Sequence, residues 1–347
     1  MDSLSQIALG AAVGVAVMGR KTALWKAALM GAVCGTLPDL DVLIDHGDPI
    51  REMTFHRTES HALFYLTLVA PLFAWIVAKL AREMQLFKYW WLAVWLVLIT
   101  HPLLDTMTIY GTQLALPFSD YPFGIGSVFV IDPLYTLPLL IGTCIALMRK
   151  QLRGLRWNSI GLGVSSVYLL WGLAMQFYVG TLADKSLAAQ GLSVQQRLVT
   201  ATPFNSVLWR VVAITPQGYA EGFYSLFDKD KNIRFVEHAR GDGIYGLVRS
   251  NWEVNRIAWF SHGYFKMAEQ NGVVSIADLR MGVEPYYSFT FDIAERTVEH
   301  NSARIIFGSP KQAIPPIDSE KSLQWLPQRL LGKTDQTLVE FLQTHSH

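Results

Sequence analysis

Six apolar stretches between Leu4 and Val179 constrain this chain more than any other feature. They run Leu4–Met18, Thr22–Leu37, Ala62–Leu80, Tyr89–Leu104, Val128–Met148 and Trp157–Val179. A helix needs about 20 residues to cross a bilayer, and the third, fifth and sixth stretches supply that length. The first two are shorter and rich in small residues, as in Gly10-Ala11-Ala12-Val13-Gly14, which suits a tightly packed helical hairpin. A spanning hairpin and a re-entrant one both fit. Only 16% of the 347 residues are charged, against about 25% in an average soluble domain. The net charge of +1, with no basic cluster interleaved with aromatics, excludes a nucleic-acid partner. Cys34 and Cys144 fall inside apolar runs without a CxxC partner, and both read as buried free thiols. Met1-Asp2-Ser3-Leu4 lacks the basic leader of a cleaved signal peptide, so the first apolar stretch is expected to remain in the mature protein.

The connecting segments set an orientation. Arg20, Lys21 and Lys26 lie in the first, Lys79, Arg82 and Lys88 in the third, and Arg149, Lys150, Arg153 and Arg156 in the fifth. The second and fourth carry only Arg51 and Arg57 beside a series of Asp and Glu. Lys and Arg are retained on the cytoplasmic side, so six crossings place the N-terminus and everything after Val179 outside. In a bacterium this is a multi-pass inner-membrane protein with a periplasmic C-terminal domain.

From Thr181 the character changes. Leu208–Thr215, Ile233–Val236, Ile257–Phe260, Val273–Ile276 and Tyr286–Phe291 are rich in strand-favouring residues and separated by turn signals. The fold class is therefore a mainly α polytopic membrane domain of about six apolar helices over residues 1–179, then a mainly β extracytoplasmic domain over 180–320. Residues 321–347 form a tail in which Leu323–Leu342 has the spacing of an amphipathic helix.

Four short motifs hold the unusual polar residues of the membrane half: Pro38-Asp39-Leu40-Asp41, His56-Arg57-Thr58-Glu59-Ser60-His61, His101-Pro102-Leu103-Leu104-Asp105 and Asp132-Pro133. Each falls at the outer end of its helix under an orientation argued from Lys and Arg alone. His101 and Asp105, four apart, share one face of a continuous helix, although Pro102 disfavours helical geometry at His101. His56 and His61 are five apart and would splay by about 140° on one helix, so His56 is expected in the preceding loop. Asp132 before Pro133 also reads as a helix N-cap.

Histidines with carboxylates make a mixed nitrogen and oxygen set that suits zinc and tolerates manganese or iron. His56, His61, His101, Asp105 and Asp132 are the candidate metal ligands. Asp39 and Asp41 are candidate ligands or general bases, and Arg57 is placed to neutralise an anionic substrate. The carboxylates suffice for one or two ions. A metal-activated water would then hydrolyse a phosphoester or a lipid-derived ester at the outer membrane face. The bilayer is one partner and a small-molecule or lipid substrate the other. A metal or ion transporter is the alternative that the residues themselves offer.

At these residues the chain resembles the YdjM-type family, described as inner-membrane metal-dependent hydrolases and in part labelled LexA-binding. The resemblance rests on Ala8-Leu9-Gly10-Ala11, Pro38-Asp39-Leu40-Asp41, His56-Arg57-x-x-Ser60-His61, His101-Pro102-Leu103-Leu104-Asp105-Thr106, Tyr110-Gly111-Thr112-Gln113 and Ile131-Asp132-Pro133-Leu134-Tyr135. It implies a metal site built from these motifs, and its LexA-binding label implies a further alternative, a non-catalytic regulatory membrane protein. Many members carry His where this chain has Gln6, which leaves open what the first helix contributes.

Overall fold

A computed structural model describes residues 1–149, 152–299, 302–313 and 317–345. Lys150, used above for orientation, and the last two residues of the tail lie outside the described residues. Helices α1 (Ser3–Met18), α2 (Leu24–Thr36), α3 (Pro49–Phe55), α4 (Leu63–Leu80), α5 (Phe87–Thr106), α6 (Pro133–Met148) and α7 (Leu152–Ala189) come first. Strands β1 (Gln196–Ala201), β2 (Leu208–Thr215), β3 (Gly218–Ser225) and β4 (Phe235–His238) follow. Next are α8 (Asp242–Val248), α9 (Trp252–Phe260), β5 (Phe265–Gln270), β6 (Val273–Asp278), β7 (Gly282–Val283) and β8 (Tyr286–Tyr287). The chain ends with β9 (Thr290–Glu299), β10 (Ser302–Gln312), α10 (Ser319–Leu330) and α11 (Leu338–Thr344). Two compact units result. One comprises Met1–Ile44, His56–Met175 and Pro203–Ser206; the other comprises Asp45–Phe55, Gln176–Thr202 and Val207–His347.

The first unit is helical. The Asp2 carboxylate opens α1 by accepting the backbone N–H groups of Leu4 and Ser5. Glycines then bring α1 and α2 into backbone contact: a Cβ on Gly31 would stand 2.0 Å from the Gly10 carbonyl oxygen, and one on Gly14 2.4 Å from that of Ala27. Around this hairpin Val15, Met18, Trp90, Val94 and Leu98 are buried together with the small face Ala70, Ala74 and Ala78 of α4. Among the described residues, three helical segments are long and apolar enough to cross a membrane: Leu63–Leu80, Met84–Thr106 and Arg153–Ala189.

Helices occupy all six apolar stretches, yet their lengths differ from the sequence expectation. The fourth stretch is extended by the 3-10 turn Met84–Leu86 and reaches spanning length. The fifth is cut short because Asp132 caps α6 and Pro133 opens it, leaving residues 128–132 outside the helix. With 16 and 13 residues, α1 and α2 rise about 24 and about 20 Å, less than the ~30 Å of a hydrocarbon core. Cys34 is buried, but Cys144 is exposed on α6, against the expectation of two buried thiols.

The second unit holds two four-stranded antiparallel sheets, ordered β1-β2-β3-β4 and β10-β9-β6-β5, with the small hairpin β7-β8. Ile257–Phe260, expected as a strand, is instead the last turn of α9. The Asn251 side chain caps that helix by accepting from the Val254 N–H, and Val254, Ile257 and Phe260 then share its buried face. The amphipathic tail is likewise two helices rather than one. Gly332, at φ +64°, turns the chain between α10 and α11.

Helix α11 is held by a capping box between Thr337 and Glu340, and by Arg234, whose Nη1 donates to Glu340 Oε2 at 2.8 Å. The Arg234 guanidinium lowers the Glu340 carboxyl from its ordinary 4.5 to about 2. A depressed carboxyl contributes stability that is complete above about pH 4.5 and is lost as pH falls toward 2. The effect is modest, because the pair is partly solvated. Amide exchange in α11, after correction for intrinsic rates, should therefore accelerate on acidification across this window. Glu340→Gln should flatten that response, and an unchanged pH profile in the variant would refute the assignment.

Candidate metal centre

The site forms where α2 and α5 end and α4 begins. Asp39 and Asp41 lie in the 3-10 turn Pro38–Leu43, which follows α2. His61 closes a second 3-10 turn, Glu59–His61, and α4 begins two residues later. His101 and Asp105 lie in the last turns of α5, one turn apart on its buried side, and Pro102 is accommodated without ending the helix. One ligand atom from each of Asp39, His61, His101 and Asp105 falls within 4.8 Å of the other three, a group that could hold a metal ion.

Hydrogen bonding fixes which ring atoms face inward. His101 Nδ1 is 2.7 Å from the Gly35 carbonyl oxygen, which can only accept, so Nδ1 carries the proton and neutral His101 turns a bare Nε2 to the cluster. Ser60 Oγ donates to Asp41 Oδ2 at 2.6 Å and stands 2.8 Å from His61 Nδ1. With its own proton committed, Ser60 accepts from His61 Nδ1, and His61 Nε2 is also bare. These are the outer partners that ordinarily orient metal-binding imidazoles.

Four acceptors thus converge. His61 Nε2 and His101 Nε2 are 3.2 Å apart. Asp39 Oδ1 is 3.3 and 3.4 Å from them, and Asp105 Oδ2 is likewise 3.3 and 3.4 Å away. Neither carboxylate oxygen has a hydrogen-bond partner although both are buried. A proton on one imidazole would serve only part of this group, whereas one divalent cation serves all four atoms. Ligands at the 2.0–2.1 Å typical of zinc occupy tetrahedral vertices about 3.3–3.4 Å apart, close to the five distances just given.

The surroundings separate the four. His61, His101 and Asp105 side chains are at most 1% exposed, whereas Asp39 is 21% exposed. The inner Asp105 oxygen, Oδ1, is met by the Met1 amine, by Gln6 Nε2 at 3.1 Å and by Arg57 Nη2 at 3.5 Å. Gln6 also donates to the His101 carbonyl at 3.2 Å, so α1 contributes an orienting amide where the sequence left its role open.

His56, Asp41, Arg57 and Asp132 stand outside the group of four. His56 Nδ1 donates to Asp41 Oδ1 at 2.8 Å, and its ring lies edge-on to those of His61 and Tyr110. Burial raises the Asp41 carboxyl, but His56, Ser60 and the Arg57 N–H together hold it near 2. Arg57 sits at φ +66°, the left-handed region, and this turn lets its N–H reach Asp41 Oδ2 while its carbonyl accepts from Gln113. Asp132 accepts from the Leu134 N–H and from Tyr168 Oη at 2.7 Å, the capping role that the Asp-Pro pair also offered.

Residues 1–179 match the family described as YdjM inner membrane protein, and the chain belongs to that family. No curated protein and no solved structure matches it.

Proposed function

We propose that this YdjM-family protein is a membrane-bound, metal-dependent hydrolase that works at the outer membrane surface, with zinc as the ion. The observation carrying this reading is the convergence of four bare acceptors at the common end of two helical segments long and apolar enough to cross a membrane. Buried ionisable groups at such depth are costly and typically functional. Arg20 and Lys21 follow α1, and Lys79 and Arg82 lie at the far end of α4, which supports placing the cluster away from the cytoplasm.

A cation held here supplies Lewis acidity, lowering the pKa of water to about 7. The chain's own groups divide the remaining work. His61, His101 and Asp105 are buried and fixed, and they hold the ion. Four protein ligands would close a tetrahedral site, whereas a catalytic one keeps a position open. Asp39, the exposed member on a short turn, is the group that yields that position and accepts a proton from the attacking water. His56 is equally exposed at 21% and donates Nδ1–H to Asp41; in its imidazolium form the Nε2–H would give a proton to the leaving group, balanced by the proton that Asp39 takes from water.

Asp39→Asn and His56→Gln should each keep bound metal yet lower turnover of a phosphoester and carboxylester panel by roughly 100- to 10,000-fold. Full activity in both variants would reduce the cluster to a structural site. Ion flux in proteoliposomes without turnover of any ester would make the protein a transporter.

A further inference from the structure

Resting on the hydrolase reading, we propose that the site takes its substrate from the bilayer as an anionic phospholipid. Arg57 holds the phosphate and the aliphatic turn Pro38–Leu43 lies along the acyl chains. Three independent features carry this. First, the cluster sits at the level of the membrane surface, because His61 stands two residues before the span Leu63–Leu80 and Asp105 one residue before the end of Met84–Thr106.

Second, the way in is apolar. Asp39 is the one ligand that solvent reaches, and the segment carrying it turns Asp39 and Asp41 inward while leaving its aliphatic side chains outside. Val42 and Leu43 are 70% and 78% exposed, with Leu40 and Ile44 half or more exposed beside them. The exposed rings of Phe64 and Phe118 pair at 5.5 Å, and Phe64 stands three residues from His61. In water such a doorway costs roughly 25 cal/mol per Å2 of apolar surface; at a bilayer boundary the same surface is buried among acyl chains. A polar, water-soluble substrate gains nothing from it.

Third, the cluster has a cation of its own with unfilled donors. The Arg57 side chain is 6% exposed, and its Nε and Nη1 form no hydrogen bond, while Nη2 lies 3.5 Å from Asp105 Oδ1. The guanidinium carbon lies over the Tyr110 ring, 4.9 Å from its centroid, a cation–π contact. A guanidinium stays charged at any accessible pH, and the N–H groups of Nε and Nη1 are open to donate to phosphate oxygens. Phosphate oxygens bound by Arg57 lie next to Asp105, and so beside the bare acceptors that hold the ion.

The test is lipid binding to the detergent-purified, zinc-loaded full chain, read by native mass spectrometry with metal content measured on the same samples. The probes are phosphatidic acid, glycerol 3-phosphate as its soluble head, and diacylglycerol as its uncharged counterpart. Phosphatidic acid is expected to bind at least about tenfold more tightly than either comparison molecule. Arg57→Gln should remove that preference over diacylglycerol while metal content stays near the wild-type value, and Arg57→Lys should restore part of it. Val42→Ser with Leu43→Ser should weaken phosphatidic acid and leave glycerol 3-phosphate unchanged. Equal binding of lipid and soluble head overturns the bilayer source, and an unaltered preference in Arg57→Gln overturns the anion role. Either result with metal and ester turnover intact leaves the hydrolase standing. Loss of metal and turnover in the wild type sinks the hydrolase instead.

Discussion

Protein carrying His101→Ala is expected to emerge from purification with less than roughly a tenth of the metal that the wild type holds, the wild type binding about one ion per chain. The magnitude follows from geometry. His101 Nε2 lies 3.2–3.4 Å from three other ligand atoms, so its loss removes one of the three buried ligands that hold the ion and leaves His61 and Asp105, with the exposed Asp39 beside them. Loss of an orienting partner alone weakens metal sites by about 10- to 100-fold, and loss of a direct ligand exceeds that. Ser60→Ala, which unties His61 Nδ1, therefore supplies an internal scale: its defect should fall within that 10- to 100-fold range and below that of His101→Ala.

Stability gives a second readout of the same site. Free metal at a thousandfold above its dissociation constant stabilises the folded chain by about 4 kcal/mol. Chelation should lower the melting temperature of wild type by on the order of 10 °C, and that of His101→Ala hardly at all. Retention of stoichiometric metal by His101→Ala, with the same chelator shift, would remove the basis for any metal chemistry at this position.

Much of this site was visible in the chain before any coordinates. His101 and Asp105 one turn apart, and His61 immediately before an apolar helix, are spacings that local geometry alone makes cooperative. Asp39 needed only a turn after Pro38. What the spacing left undecided was how residues five apart divide. His56 and His61 flank Arg57, and its left-handed backbone separates the two rings so that one meets Asp41 and the other the cluster. Nothing in composition marks an arginine for that conformation, since the hydrogen bonds that hold it come from Asp41 and Gln113. Gln6 is a similar case. An amide among small apolar residues carries no sign of its partner, and Asp105 lies 99 positions away. In the second unit the strand-like residues of Ile257–Phe260 were overruled by the cap at Asn251, because local propensity is weaker than a satisfied helix start.

The glycine seam between α1 and α2 leads to the second large effect. Gly31→Val should abolish both the compact helical unit and its metal binding, although Gly31 touches no ligand. A Cβ at this position would stand 2.0 Å from the Gly10 carbonyl oxygen, and an ordinary contact requires at least 3.4 Å. The obstacle is backbone, so no side-chain rotation relieves it and the helices must part by more than an ångström. Overpacking of a core typically costs 1–3 kcal/mol, and a clash against main chain belongs at or above the upper end of that range. Parting α2 from α1 also moves Gly35, whose carbonyl holds His101 Nδ1 at 2.7 Å, away from the position that keeps the ring turned inward. Gly35 itself lies against the Gln6 carbonyl, so both orienting groups shift together. Gly163→Ala on α7 is the control, because a Cβ there meets nothing within 4 Å, and replacing a helical glycine by alanine should be neutral or stabilising by up to about 1 kcal/mol. Metal content and detergent-resistant melting of the two variants decide the matter. If Gly31→Val retained wild-type metal while Gly163→Ala behaved as expected, close approach of α1 and α2 would have no part in building the site.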